Sequence, residues 1–209
     1  SADAWAEEWL AAEHLFRGAN LFYTPVMNAF WKIRGEGVAP REAGRGNMAS
    51  SSSAMCISPM GVINAGNPRQ AALETFEVAS LIHHNFCRDA ACAMAAAVAE
   101  AFRPEASVDS ILQAALAYLP PKSASVMREA IARALNLARE SGSYEGFRER
   151  FYRDHLVAAM GTCDSRETVP VALALFLLSG GDPRQTMIYG ANFGRDADTI
   201  ASMADRKST

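Results

Sequence analysis

Residues 169–178 are apolar nearly all round, and this limits what the chain can fold into more than any other feature. An element with one polar face can lie on a surface, whereas one without must be covered on every side. The run is far shorter than the roughly 20 residues a bilayer-spanning helix needs, so the covering has to be protein. A central buried helix follows. A second constraint is the alanine-rich stretch 89–102. Alanine costs least in a helix and its small side chain allows helices to approach closely. Apolar residues recur at helical spacing elsewhere, and strand-like alternation is essentially absent. The expected fold class is all-α, a compact multi-helix orthogonal bundle.

Along the chain, Trp5, Trp9, Leu10 and Leu15 share one helical stripe over residues 3–15. A second helix is expected over 25–33, broken by Arg34-Gly35-Glu36-Gly37. Residues 44–53, Gly-Arg-Gly-Asn-Met-Ala-Ser-Ser-Ser-Ser, offer no hydrophobic face and read as a loop. A helix over 54–62 is expected to be interrupted near Pro59. Residues 70–83 and 89–102 form a helical hairpin, followed by helices over 107–118 and 123–140, with Pro120-Pro121 as the stop between them. A short amphipathic piece covers 146–155. A segment at 182–189 leads into a loop at 190–195, and a last helix spans 196–204.

The chain has 209 residues, enough to bury a core without disulfide staples, and a single domain over 1–209 is expected. Hydrophobic residues make up 50% and charged residues 21%, and the net charge of -3 comes without a basic cluster. No nucleic-acid or membrane partner is therefore expected. No leader with a cleavage site opens the sequence, so a cytoplasmic location is expected. Cys56, Cys87, Cys92 and Cys163 form no C-x-x-C pair and have no zinc-finger spacing, which reads as buried, reduced thiols.

Three stretches carry chemistry. In Gly190-Ala191-Asn192-Phe193-Gly194-Arg195-Asp196-Ala197-Asp198-Thr199-Ile200-Ala201, two carboxylates and a hydroxyl sit where a loop turns into a helix. Asp196, Asp198 and the Thr199 oxygen can aim at one point, the donor type that hard divalent cations take. Aspartate is also favoured at helix N-termini as a cap, and spacing alone leaves both readings open. The loop 44–53 offers backbone amides and hydroxyls suited to phosphate or ribose oxygens, although it has no P-loop lysine. In Leu81-Ile82-His83-His84-Asn85, adjacent histidines on a helix point about 100° apart, so one at most faces a given pocket. His14 and His155 lack polar company and read as structural.

Taken in order, these stretches resemble the ADP-ribosylglycohydrolase family. Ala54 to Gly61 follows a glycine-rich loop and resembles an A-M-R-I-x-P-x-G segment, Ile82-His83 stands at a threonine–histidine pair, and residues 194–201 stand at a G-G-D-x-D-T-I-A signature. The resemblance implies the family's all-helical fold, with a pair of magnesium ions in a cleft. It also implies hydrolysis of N- or O-glycosidic bonds at the anomeric carbon of ADP-ribose. Carried over, Asp196, Asp198 and Thr199 are metal ligands. Gly46, Asn47, Ser52 and Ser53 approach the diphosphate or ribose, and His83 lies near the substrate.

Ile82 replaces the family's threonine, Cys56 its arginine and Arg195 the second glycine of the signature. The G-D-A-x-G segment and the T-D-D-T/S motif, which supplies further ligands and a catalytic acid, are not found in residues 1–43. The catalytic acid is thus unassigned, and the chain is expected to lack the N-terminal part of the family fold. It is either a portion of a longer protein or a member without one wall of its metal site. Three functions follow: a magnesium-dependent hydrolase of ADP-ribosyl or related nucleoside-like substrates, small or protein-linked; an inactive ADP-ribose-binding relative; or a biosynthetic enzyme reusing the fold.

Overall fold

The computed structural model describes residues 1–18, 21–157, 161 and 163–205. Among these there are thirteen α-helices, one 3-10 turn and no strand, so the all-α expectation holds. The helices are α1 (Ala2–Ala11), α2 (Glu13–Phe16), α3 (Thr24–Glu36), α4 (Ser52–Met55), α5 (Ser58–Ile63), α6 (Pro68–Ala79) and α7 (Phe86–Ala101). They continue as α8 (Val108–Ala117), α9 (Ser125–Ser141), α10 (Tyr144–Asp154), α11 (Ser165–Leu178), α12 (Pro183–Phe193) and α13 (Ala197–Asp205). No described helix is long and apolar enough to cross a membrane.

Two helices organise the core. The alanines of α7 let α4, α5, α6, α8 and α11 press against it, and every residue from Asp89 to Glu100 is buried. The run 169–178 lies in α11, which is buried continuously from Glu167 to Phe176 and packs on α7, α8, α9, α12 and α13. That burial accounts for the proline inside it. Pro170 cannot donate to the preceding turn, and packing on all sides outweighs the lost bond. Pro170 also explains why sequence puts the start near 169. The helix begins four residues earlier, where Asp164 accepts from the Arg166 amide at 2.8 Å. The free thiols of Cys87 and Cys92 are buried here, with pKa values pushed up to about 11 and about 12 by desolvation. Cys56 and Cys163 are only half-buried, contrary to the all-buried expectation.

The N-terminal helices form a satellite cluster. Residues 3–15 divide into α1 and α2 at Ala12, and the break lets Phe16 stack on Phe30 of α3 with centroids 4.0 Å apart. Helix α3 runs through Arg34-Gly35-Glu36 and stops only at the left-handed Gly37. Residues 80–85 are turns rather than the end of α6. Helix α7 starts early because Asn85, at φ 76°, caps it by accepting from the Cys87 amide at 2.9 Å. Pro59 starts α5 rather than merely interrupting a helix.

The largest difference lies before the last helix. The expected loop 190–195 is helical to Phe193, leaving a turn of three residues. Gly190 is part of a contact between helices: a Cβ there would sit 2.6 Å from the Ala201 Cα. The missing side chain lets α12 and α13 cross closely, and the crossing sets where the Asp196 turn points.

Candidate active site

The serine run 50–53 is held from within. His83 is fully buried beneath it, with Nε2 3.1 Å from the Met48 carbonyl and 3.2 Å from Ser50 Oγ. Its Nδ1 lies 2.9 Å from Ser53 Oγ. The Met48 carbonyl only accepts, which assigns the ring proton to Nε2, and the single Ser53 hydroxyl proton is shared between Nδ1 and the Cys87 carbonyl, 3.2 Å away. Burial lowers the His83 pKa to about 4, which keeps the ring neutral at pH 7. Ser52 and Ser50 hydroxyls share a bond of 2.9 Å, and Ser165 Oγ donates to the Ser50 carbonyl at 2.5 Å. Asn47 is likewise committed: it donates to the Pro25 and Ile82 carbonyls, both at 2.9 Å, and accepts from Lys32 at 3.1 Å. Gly46 is exposed.

Opposite this run stands the turn that starts α13. Gly194 has φ 88° and Arg195 φ 61°, the left-handed region that suits glycine. A Cβ on Gly194 would also fall 2.5 Å from the Tyr152 hydroxyl. Arg195 adopts this conformation under tertiary restraint. Its Nε donates to Glu167 Oε1 at 2.6 Å and its Nη2 to Oε2 at 2.9 Å, and Glu167 is fully buried. The fork fixes the geometry as well as the charge.

The turn delivers Asp196, half-buried, towards the serines. Ser51 Oγ donates to Asp196 Oδ2 at 3.2 Å across 145 residues of sequence, and Thr199 Oγ1 donates to Oδ1 at 3.1 Å. Burial holds the Asp196 carboxyl above its ordinary range. The nearby Asp198 carboxylate pushes the same way, against the lowering pull of the two hydroxyls. Asp198 itself is exposed and Thr199 is buried. The Ser51 amide donates to the Cys163 carbonyl at 2.7 Å, which secures the serine run to the segment before α11.

The structure therefore brings Asp196, Asp198 and Thr199 together, with Ser51 beside them. His83, Ser53, Ser52 and Asn47 form an inward-facing scaffold beneath the same run, while Gly46 stays on the surface. Sequence reading did not single out Ser51, Tyr23 or the Glu167–Arg195 pair. Ser51 was visible only as one of four like residues. Tyr23, whose hydroxyl accepts from the Cys163 thiol at 3.4 Å and whose pKa is raised by that contact and slightly by Asp196, left no sequence signal.

Two carboxylates and two hydroxyls are hard oxygen donors, and crowded carboxylates are best tolerated beside a cation. They fit a magnesium ion that retains water in the rest of its shell. They fall short of the expected two-ion set, since among the described residues no three His, Cys, Asp or Glu side chains converge to hold a metal.

A family model described as ADP-ribosylglycohydrolase matches residues 1–204. The chain is also 29% identical over 166 residues to Uncharacterized protein YegU of Escherichia coli (strain K12), covering 76% of this chain and 48% of that protein. The chain thus spans about half the length of this relative. With the signature turn, the serine run and the all-helical core in agreement with that match, the chain belongs to the ADP-ribosylglycohydrolase family.

Proposed function

We propose that this chain carries part of the site of a magnesium-dependent hydrolase that cleaves the glycosidic bond of ADP-ribosyl or related nucleoside-like substrates. The observation that carries the reading is the Ser51–Asp196 bond at 3.2 Å, which joins the serine run to the acidic turn. Asp196, Asp198 and Thr199 would hold the cation, which when bound supplies charge to orient ribose oxygens and a water near the anomeric carbon. The chain's own residues position these donors. Ser51 and Thr199 fix the plane of the Asp196 carboxylate, and the Arg195–Glu167 fork fixes the turn that presents it. His83 and Ser53 keep the serine run from collapsing, so that Gly46 and the neighbouring amides can face a diphosphate. Family membership supports the ADP-ribose-like substrate class.

A second reading is an ADP-ribose-binding relative without turnover, favoured by the absence of a third His, Cys, Asp or Glu beside Asp196 and Asp198 among the described residues. One experiment separates the two: release of ADP-ribose from an ADP-ribosylated arginine substrate and a serine-linked one, with and without magnesium, by wild type, Asp196→Asn and Asp198→Asn. The hydrolase reading expects magnesium-dependent release that both variants lose. Release that ignores magnesium and both substitutions would overturn it. Melting shifts with ADP-ribose but no release would establish the binding reading instead.

A further inference from the structure

On the flank of α7 facing away from the serine run, a cavity of about 160 Å³ opens between α6, α7 and the segment after α8. The Cys87 thiol lies against Ser165 and Ser50, and Asp89, two residues later, lies roughly 200° around the helix. The cavity walls include Leu73 and Phe76 of α6, Tyr118 and Leu119, with Asp89 and Cys92 at its base. Leu73, Phe76 and Tyr118 are 54%, 44% and 37% exposed, so three large apolar side chains ring its mouth. Clustered exposed apolar groups around a concavity mark a binding surface more often than isolated ones do.

Asp89 makes this more than an apolar dent. Asp89 is 8% exposed as a residue, and its side chain makes neither an ion pair nor a hydrogen bond among the described residues. The adjacent Arg88 offsets part of its charge without forming an ion pair. The Arg88 guanidinium lies 3.7 Å from the centre of the Phe76 ring, and Arg69 stands exposed at the rim. Asp89 gains something from the dipole of α7, where it sits in the first turn, but exposed first-turn positions would give that without burial. A mostly buried carboxylate that opens onto a cavity with apolar walls, only partly offset by Arg88, leaves room for a counter-ion from outside.

We infer that this pocket binds a small organic cation, an ammonium or amidinium group on an apolar body of ring size, with Asp89 as its counter-ion. A cavity of roughly 150 Å³ accommodates a benzene ring, which sets the size of the apolar part. Arg88 already covers one face of Phe76, and Tyr118 supplies an aromatic face suited to a positive group.

The test uses the full 209-residue chain and two probes of equal size, benzylammonium and neutral benzyl alcohol, followed through the methyl resonances of Leu73 and Leu119. Benzylammonium should shift both methyls saturably and bind about tenfold more tightly than benzyl alcohol. Asp89→Asn, checked for folding by thermal melting, should bring the two probes to equal affinity. Failure of benzylammonium to move these methyls, equal affinities on wild type, or a preference that survives Asp89→Asn would each overturn the inference. Should Asp89→Asn not fold, the comparison of the two probes on wild type decides alone.

Discussion

The serine run and the Asp196 turn meet at one hydrogen bond but are built on opposite principles. Around His83, buried hydroxyls, amides and carbonyls use one another as partners and little is left for a ligand. At the Asp196 turn, two carboxylates stand together with only hydroxyls to relieve them, and one is exposed. The first region is held by satisfied bonds and the second is held in place from outside, by Arg195 and Glu167. A rigid, self-satisfied wall facing an electrostatically unfinished one is an arrangement in which a cation completes the second without disturbing the first.

The sharpest way to break this comparison is to remove the outside support. Arg195→Ala leaves the buried Glu167 carboxylate without its counter-ion, with only the Val157 amide among the described residues still donating to it, and should cost about 3–5 kcal/mol in urea unfolding at pH 7. A loss near zero would mean that the turn stands without its fork.

The next effect is a pH dependence that wild type partly conceals. His83 has a folded pKa of about 4 against 6.5 for the free group, so its contribution is full above about pH 6.5 and is lost as pH falls towards 4. Asp89 has the opposite sign. Its carboxyl is raised from 3.8 to about 6 by burial, partly offset by Arg88, so its contribution is full below 3.8 and is lost as pH rises through 6. In wild type the Asp89 gain therefore offsets part of the His83 loss as pH falls from 6.5 to 4. Asp89→Asn should lose on the order of 3 kcal/mol over the same fall in pH. A flat profile in that variant would show that His83 titrates normally.

Ser53→Ala, which strips the donor from His83 Nδ1, should cost about 1–3 kcal/mol without changing magnesium affinity by calorimetry. The smallest effect falls on the open side. Asp196→Asn should melt slightly higher than wild type without magnesium, because it relieves a carboxyl held above its ordinary range, and should lose the magnesium-dependent rise in melting temperature. A lower melting temperature in metal-free buffer would mark Asp196 as a structural acid.

Much of this architecture was legible beforehand where periodicity or composition carries it. The centrality of α11 and the close-packed α7 follow from apolar and alanine-rich runs, because burial on every side leaves a trace in every residue. Boundaries were less legible. Helix α12 runs past Gly190 because the glycine is needed for contact with Ala201, and a glycine required for packing looks in sequence like one required for a turn. Asn85 at φ 76° advanced the start of α7 in the same unannounced way.

For the site, sequence by itself determined which residue types are gathered near the C-terminal signature and in the serine run, since donor chemistry is a property of the side chain. Only tertiary structure decided their roles. It turned His83 inward, chose Ser51 from a run of four, and paired Arg195 with a glutamate 28 residues away. The physical reason is that burial and hydrogen-bond partnership belong to positions in space, and partners separated by 28 or 145 residues are set by how helices cross rather than by any local pattern.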